Sequence, residues 1–201
     1  MTLGRRATPG ARVGPALAIL EVQSIARGYR VLDAACKRAV VTVVQARTVT
    51  PGRFWIALTG GEAEVDEALA AGIDAAGDAR MDHVLLPAVA WSVLCAVAGE
   101  TLEHKELDAI GVLELASLSA TVCAADAAVK AAEVTLVDLH LARSIGGKGV
   151  LVVTGVLSDV EAAVEAGAEA AGVSRLVGRE VIARPDEAVH TATPFPHWNT
   201  R

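Results

Sequence analysis

The sequence predicts a mixed α/β chain, one α+β unit written twice in tandem, each copy an antiparallel sheet with helices on one face. An internal repeat is the first ground for this. Ala18 to Val44 lies over Gly111 to Val137 at a constant offset of 93, with eleven of twenty-seven positions identical. Thr59 to Gly77 lies over Thr154 to Gly172 at an offset of 95, with nine of nineteen identical. Self-similarity at a fixed offset is the mark of a duplicated structural unit. Composition is the second ground: 53% hydrophobic and 21% charged residues allow ordered cores, and only 3% aromatics means those cores are filled by small and β-branched side chains. The third is the order of elements, which is the same in both copies.

Each copy opens with an apolar run, Leu17 to Val22 or Ile110 to Leu115, which reads as a strand. Ser24 or Ser117 follows in a position to cap a helix. The helix sets Ile25, Tyr29, Leu32 and Cys36 in one copy and Leu118, Val122, Ala125 and Val129 in the other at spacings of four, three and four, which predicts one buried stripe. Cys36 and Cys123 are accordingly expected to behave as small buried hydrophobes. A β-rich segment comes next, Val40 to Ala46 or Val134 to Leu141, then a glycine-containing turn and a strand, Phe54 to Leu58 or Val150 to Val153, which together predict a hairpin. The change of offset puts two extra residues into the second copy's turn, near Ser144 to Lys148, because loops accept insertions and packed elements do not. For the second helix, the run from Ser158 to Glu161 has capping-box spacing, and Gly77 and Gly172 stand where left-handed helix ends favour glycine. Final strands, Asp82 to Leu86 and Leu176 to Ala183, run to Pro87 and Pro185, with short helices expected after them. The order β-α-β-β-α-β is that of a ferredoxin-like split unit. The expected boundaries are a flexible arm over 1–15, a first domain over 16–99, a linker over 100–107, a second domain over 108–190 and a tail over 191–201.

Composition also excludes function classes. A net charge of −6 with scattered Lys and Arg argues against nucleic acid, since phosphate binding needs clustered cations. The one basic cluster, Arg5, Arg6 and Arg12, lies in the arm. The longest uncharged stretch, Val84 to Ala98, is too short and too interrupted to span a bilayer, so no membrane partner is expected. Cys36, Cys95 and Cys123 have no metal-ligand spacing, and the histidines are dispersed, so no metal or other cofactor is expected. The run from Ser144 to Gly149 suggests a phosphate loop, but Arg143 stands where its first glycine belongs and Gly149 where its hydroxyl belongs. No nucleophile and base come into view, and no enzyme activity is expected.

With the repeat in hand, particular residues become recognisable. Gly111 to Glu114, the helical run Asp126 to Ala132, Val134 to Val137, the Ile145-Gly146-Gly147 loop and the ending Ile182 to Pro185 resemble a bacterial microcompartment shell domain. The Arg47 to Arg53 turn of the first copy resembles the matching loop of the tandem-domain, unpermuted shell proteins. The resemblance covers about 150 residues of the 201. It implies that three chains close into a pseudohexagonal tile, and that tiles meet other shell proteins edge to edge around encapsulated enzymes in the bacterial cytoplasm. The resemblance also implies a central pore that passes small polar metabolites.

Carried over by position, the resemblance makes Thr50, Pro51 and Gly52 the pore loop of copy one, and Ser144, Ile145, Gly146, Gly147 and Lys148 that of copy two. Lys37 and Lys130 match the edge lysine between tiles, and Arg184 the arginine that meets it, with Leu86 standing where the first copy lacks that arginine. Some relatives hold an iron-sulfur cluster through a pore cysteine, but neither loop here has one. Lys148 and Arg53 near the mouth would favour anionic or polar solutes. The competing reading is a duplicated ferredoxin-like module that senses a small molecule at the junction of its copies.

Overall fold

The computed structural model describes residues 15–100, 108–142 and 145–191. Most of the expected arm, linker and tail lies outside the described residues. The first copy runs β1 (Ala16–Val22), α1 (Ile25–Arg38), β2 (Thr42–Val49), β3 (Arg53–Gly60), α2 (Glu62–Ala76), a 3-10 turn (Gly77–Ala79), β4 (Arg80–Leu86) and α3 (Trp91–Ala98). The second runs β5 (Ala109–Leu115), α4 (Leu118–Ala131), β6 (Thr135–Leu141), β7 (Gly149–Gly155), α5 (Leu157–Ala171), β8 (Leu176–Ala183) and α6 (Glu187–Thr191). The two four-stranded sheets have orders β2-β3-β1-β4 and β6-β7-β5-β8, with every pairing antiparallel. Both copies therefore carry the expected split topology, and both hairpins form.

Ser24 and Ser117 cap α1 and α4, their hydroxyls accepting from the Arg27 and Ala120 N–H groups at 3.2 Å. Gly77 and Gly172 close α2 and α5 at positive φ. The expected cap at Ser158 is not made: α5 starts at Leu157 with Val156 as its N-cap and no side-chain cap bond. Serine three residues before glutamate also occurs inside helices. Copy one held the better signal, because Gly61 is the N-cap of α2 and aligns with Val156.

Alternate residues of β1 and β3, Ala18, Leu20 and Val22 with Phe54, Ile56 and Leu58, pack under α1 and α2. Leu17, Ile19, Trp55 and Ala57 face the other way, into a core shared with Val93, Leu94 and Val97 of α3 and with copy two. That core runs on through Leu118 and Val122 of α4 to Leu113, Leu151 and Val164. The two copies are thus joined through one continuous apolar interior.

One packing detail shows the copies compensating for each other. In copy one a Cβ on Gly28 would sit 2.4 Å from the ring of Phe54, so the missing side chain on α1 is what admits the ring on β3. Copy two reverses the sizes: Thr121 replaces the helix glycine and Gly149 replaces the ring, with a Cβ on Gly149 only 2.1 Å from Thr121 Oγ1. At this contact one glycine always faces one side chain, and the side chain moves from strand to helix.

The stripe expected on α1 needs correction. The residues of α1 buried within the chain are Gly28, Val31 and Ala35, whereas Ile25 is 36% and Tyr29 65% exposed and Cys36 is exposed as well. Their counterparts on α4, Leu118 and Val122, are 0% exposed and Ala125 is fully buried, as expected. The apolar pattern is the same; what differs is that copy one covers α4, and no element among the described residues covers the outer side of α1.

Candidate functional site: the paired loops and the junction between copies

The two loops singled out in the sequence come together. Gly147 is buried where the copies meet, and a Cβ there would lie 2.7 Å from Arg53 Nη1 and 3.1 Å from the Thr50 carbonyl oxygen. Gly52 (φ +92°) and Gly147 (φ +87°) hold left-handed backbone that side-chain-bearing residues rarely adopt. Gly52 N–H donates to Val49 O at 2.9 Å, closing the first loop, and Ala142 N–H donates to Lys148 O at 3.0 Å, closing the second. Thr50 and Pro51 are exposed at the tip, as are Gly146 and Lys148. Ser144 lies outside the described residues. Beside the first loop is an open groove of about 390 Å³, lined by Ile25, Arg47, Thr48, Thr50 and Gly52 from copy one and Leu141 from copy two.

Charge is arranged in the same way behind each loop. Arg53 begins β3, and Lys148 precedes β7 at the equivalent register. Lys148 Nζ meets Glu114 Oε1 at 2.7 Å. Arg47 stacks over the Trp55 ring, 5.3 Å from its centroid, holding a guanidinium near the mouth of the groove.

The junction itself holds buried polar groups. Glu21 Oε1 accepts from the Ser119 N–H and hydroxyl at 2.8 and 2.9 Å, so a carboxylate of copy one caps the first turn of a helix of copy two. Asp82 accepts from Arg175 Nε and Nη2 at 2.9 and 2.8 Å and from Ser117 Oγ at 2.5 Å. Farther out, Asp126 Oδ1 accepts from the Ala90 N–H at 2.7 Å, and Lys130 Nζ donates to Ala88 O at 2.6 Å and Asp126 Oδ2 at 2.5 Å. Lys130 therefore holds the turn after β4 onto α4. Its repeat partner Lys37 is exposed and reaches only Asp33 on its own helix, at 2.7 Å, among the described residues. Arg184 is exposed just beyond β8, at φ +49°.

Register also corrects the position assigned to Leu86. Leu86 pairs with Leu17, and Ile182 pairs with Ile110, the repeat equivalent of Leu17. Leu86 is thus the counterpart of Ile182, and Arg184 falls two residues later, opposite the Ala88-Val89 turn; the first copy still has no arginine there.

Sequence reasoning missed the junction. Its available signal was Glu21 and Glu114, one carboxylate kept at the same place in two otherwise apolar strands. Burial raises the Glu21 carboxyl above its ordinary range, opposed by the two Ser119 hydrogen bonds, raised again by Asp82 and lowered by Arg53. Its Oε2 is buried with no hydrogen-bond partner among the described residues. An acid whose folded pKa is raised binds its proton more tightly when folded, so its ionisation weakens the fold. The native chain should gain stability from this group as pH falls from neutrality through the raised pKa, and reach a plateau below the ordinary glutamate range. Glu21→Gln is expected to flatten that slope in thermal melts across pH 4.5 to 7; an unchanged slope would show that Glu21 is not its source.

No helix among the described residues is long and apolar enough to cross a membrane. The BMC domain family model matches this chain twice, over residues 16–89 and 109–185. The chain is 44% identical to the bacterial microcompartment shell protein PduT of Citrobacter freundii, over 87% of this chain and 95% of that protein. It is 30% identical to the carboxysome assembly protein CcmO of Synechococcus elongatus, over 90% of this chain and 69% of the relative. Among solved structures, a microcompartment protein from Desulfitobacterium hafniense superposes with a TM-score of 0.79 at 33% identity, covering 88% of this chain and 98% of that one. Two matched domains in series, each with the split antiparallel sheet and joined through a shared core, make this chain a member of the BMC domain family and a tandem-domain bacterial microcompartment shell protein.

Proposed function

We propose that three copies of this chain close into a flat pseudohexagonal tile whose axial opening passes small polar solutes into and out of an enzyme-filled compartment of a bacterium. The observation that carries this reading is the unequal burial of two equivalent helix faces. Within the chain, α4 lays Leu118 and Val122 against copy one; the matching face of α1, with Ile25 and Tyr29, stands open. A second chain offering its own copy two would cover that face as copy one covers α4. Head-to-tail contacts of this kind generate rings when the rotation closes.

In such a ring the loops of 50–53 and 145–148 alternate around the axis, since Gly147 already abuts Thr50 and Arg53 within one chain. Glycine backbone close to the axis leaves a passage that side chains would fill. Arg53 and Lys148 favour anionic and polar solutes, tempered at Lys148 by its ion pair with Glu114. Lys37, Lys130 and Arg184 are assigned to the tile rim, where rings meet one another and other shell proteins. Lys130 is partly occupied by the turn after β4, so Lys37 and Arg184 are the freer rim contacts. The role is structural rather than catalytic.

Electron microscopy tests the tile: flat sheets or tubes appearing as concentration rises support it. A discrete particle that binds a metabolite saturably and never forms sheets would instead favour the sensing module. Transport is tested by filling the opening. Gly52→Trp, whose Cβ would meet no atom within 4 Å but which must hold a φ of +92°, is expected to lower the melting midpoint by a few degrees without unfolding the chain, and to slow leakage of small anions from assembled shells severalfold. Leakage equal to that of the native shell would remove the pore from the account.

A further inference from the structure

Two equivalent junctions need not be held by the same chemistry, and the residues on this chain's open ends differ in kind from those of the closed one. At the closed junction, α4 carries Cys123, whose thiol donates to the Ala170 carbonyl oxygen of α5 at 3.5 Å and lies in the fields of Asp126, Arg175, Asp82 and Lys130. On the strand side of the junction, Val84 stands two residues along β4 from Asp82, on the same side of the sheet, and packs against the shared core. The repeat puts Arg30 at the position of Cys123, and strand register puts Glu180 at that of Val84. Arg30 is exposed on α1 and Glu180 on β8, and neither has a hydrogen-bond or ion-pair partner among the described residues. Two residues along a strand span about 6.7 Å, within reach of an extended arginine. Sizes change in opposite senses on the two sides: Tyr29 replaces Val122 on the helix, and Gly178 replaces Asp82 on the strand.

The geometry points to Arg30 of one chain pairing with Glu180 of a second copy, so that the chain-to-chain junction is a charge-complementary version of the apolar and Asp82-bound junction inside the chain. This rests on the ring reading above. The pair gives the ring its order. Copy one's open helix meets the Glu180 carboxylate only on another chain's copy two, while two copies of α1 facing each other would set Arg30 against Arg30. Complementary charge of this kind selects partners and register more than it adds raw affinity.

A charge-swap series read by native mass against concentration tests the pairing. Arg30→Glu and Glu180→Arg are each expected to raise the concentration needed for half-assembly about tenfold or more, through like charges brought together. The double variant should return to within about threefold of the native chain. Both positions are exposed, so all three variants should melt close to the native chain. Single reversals that assemble normally, or a double variant no better than its parents, would overturn the pairing while leaving the ring intact. Variants that keep the ring but lose sheets would put α1 at a tile-to-tile contact and overturn it too. A native chain that never assembles would defeat the ring reading and this pairing together.

Discussion

Tyr29→Glu is expected to yield a folded chain that no longer associates where the native chain is assembled, with the half-assembly concentration raised about a hundredfold or more. Tyr29 is 65% exposed in the single chain, while its repeat equivalent Val122 is completely buried by copy one. Putting a carboxylate at the centre of a face that must be desolvated leaves an uncompensated charge, and the penalty is felt only on association. Inside the chain the variant gives up the tilted contact between the Tyr29 and Phe54 rings, 5.2 Å between centroids, worth about 1 kcal/mol. A thermal melt separates the two effects: the midpoint should fall by a few degrees while sedimentation shows loss of the larger species. An assembled Tyr29→Glu would mean the open face of α1 is simply a solvated helix side.

The second large effect is internal. Gly149→Phe places a ring where a Cβ alone would come within 2.7 Å of the Thr121 Cβ, in a contact with no room to relax. Overpacking of this kind costs about 3 kcal/mol, enough to unfold a marginal domain. Thr121→Gly alone loses the Thr121 hydroxyl bond to Ser117 O at 2.7 Å and good helix geometry, about 2 kcal/mol. Combined, the two substitutions rebuild in copy two the Gly28–Phe54 arrangement of copy one. The double variant should therefore be more stable than Gly149→Phe, with a coupling of at least about 1 kcal/mol in a double-mutant cycle by urea denaturation. Strict additivity would show that the two contacts are unrelated. Gly149→Ala keeps the comparison readable where the phenylalanine variant does not fold.

The duplicated topology could be read from the chain because both signals behind it are local. Ser24 and Ser117 cap helices, Gly77 and Gly172 end them, and the Thr50-Pro51-Gly52 and Gly146-Gly147 turns link the hairpin strands, each through the backbone of its own neighbourhood. Periodicity likewise found the apolar side of both first helices. It could not tell that, among the described residues, the side carrying Leu118 is covered and the side carrying Ile25 is not, because covering depends on a surface ninety residues away. The same limit hid the junction. Asp82 and Arg175 lie 93 residues apart, and Asp82 is matched by Gly178, so although Arg80 stands at the repeat offset from Arg175 the repeat did not show the pair. Glu21 was visible as a repeated acid, but its partner Ser119 is matched by Ala26, and half of the contact disappears in the comparison. The loops around the groove were found for the opposite reason: glycine and proline mark a turn whatever surrounds it.

The account stands on head-to-tail closure, and native mass spectrometry of the purified chain tests that directly. It predicts a dominant species of three chains of 20.6 kDa each, persisting on dilution until the Tyr29 face is released. A chain that remains a single copy at every concentration, or that pairs into a closed dimer, would contradict it.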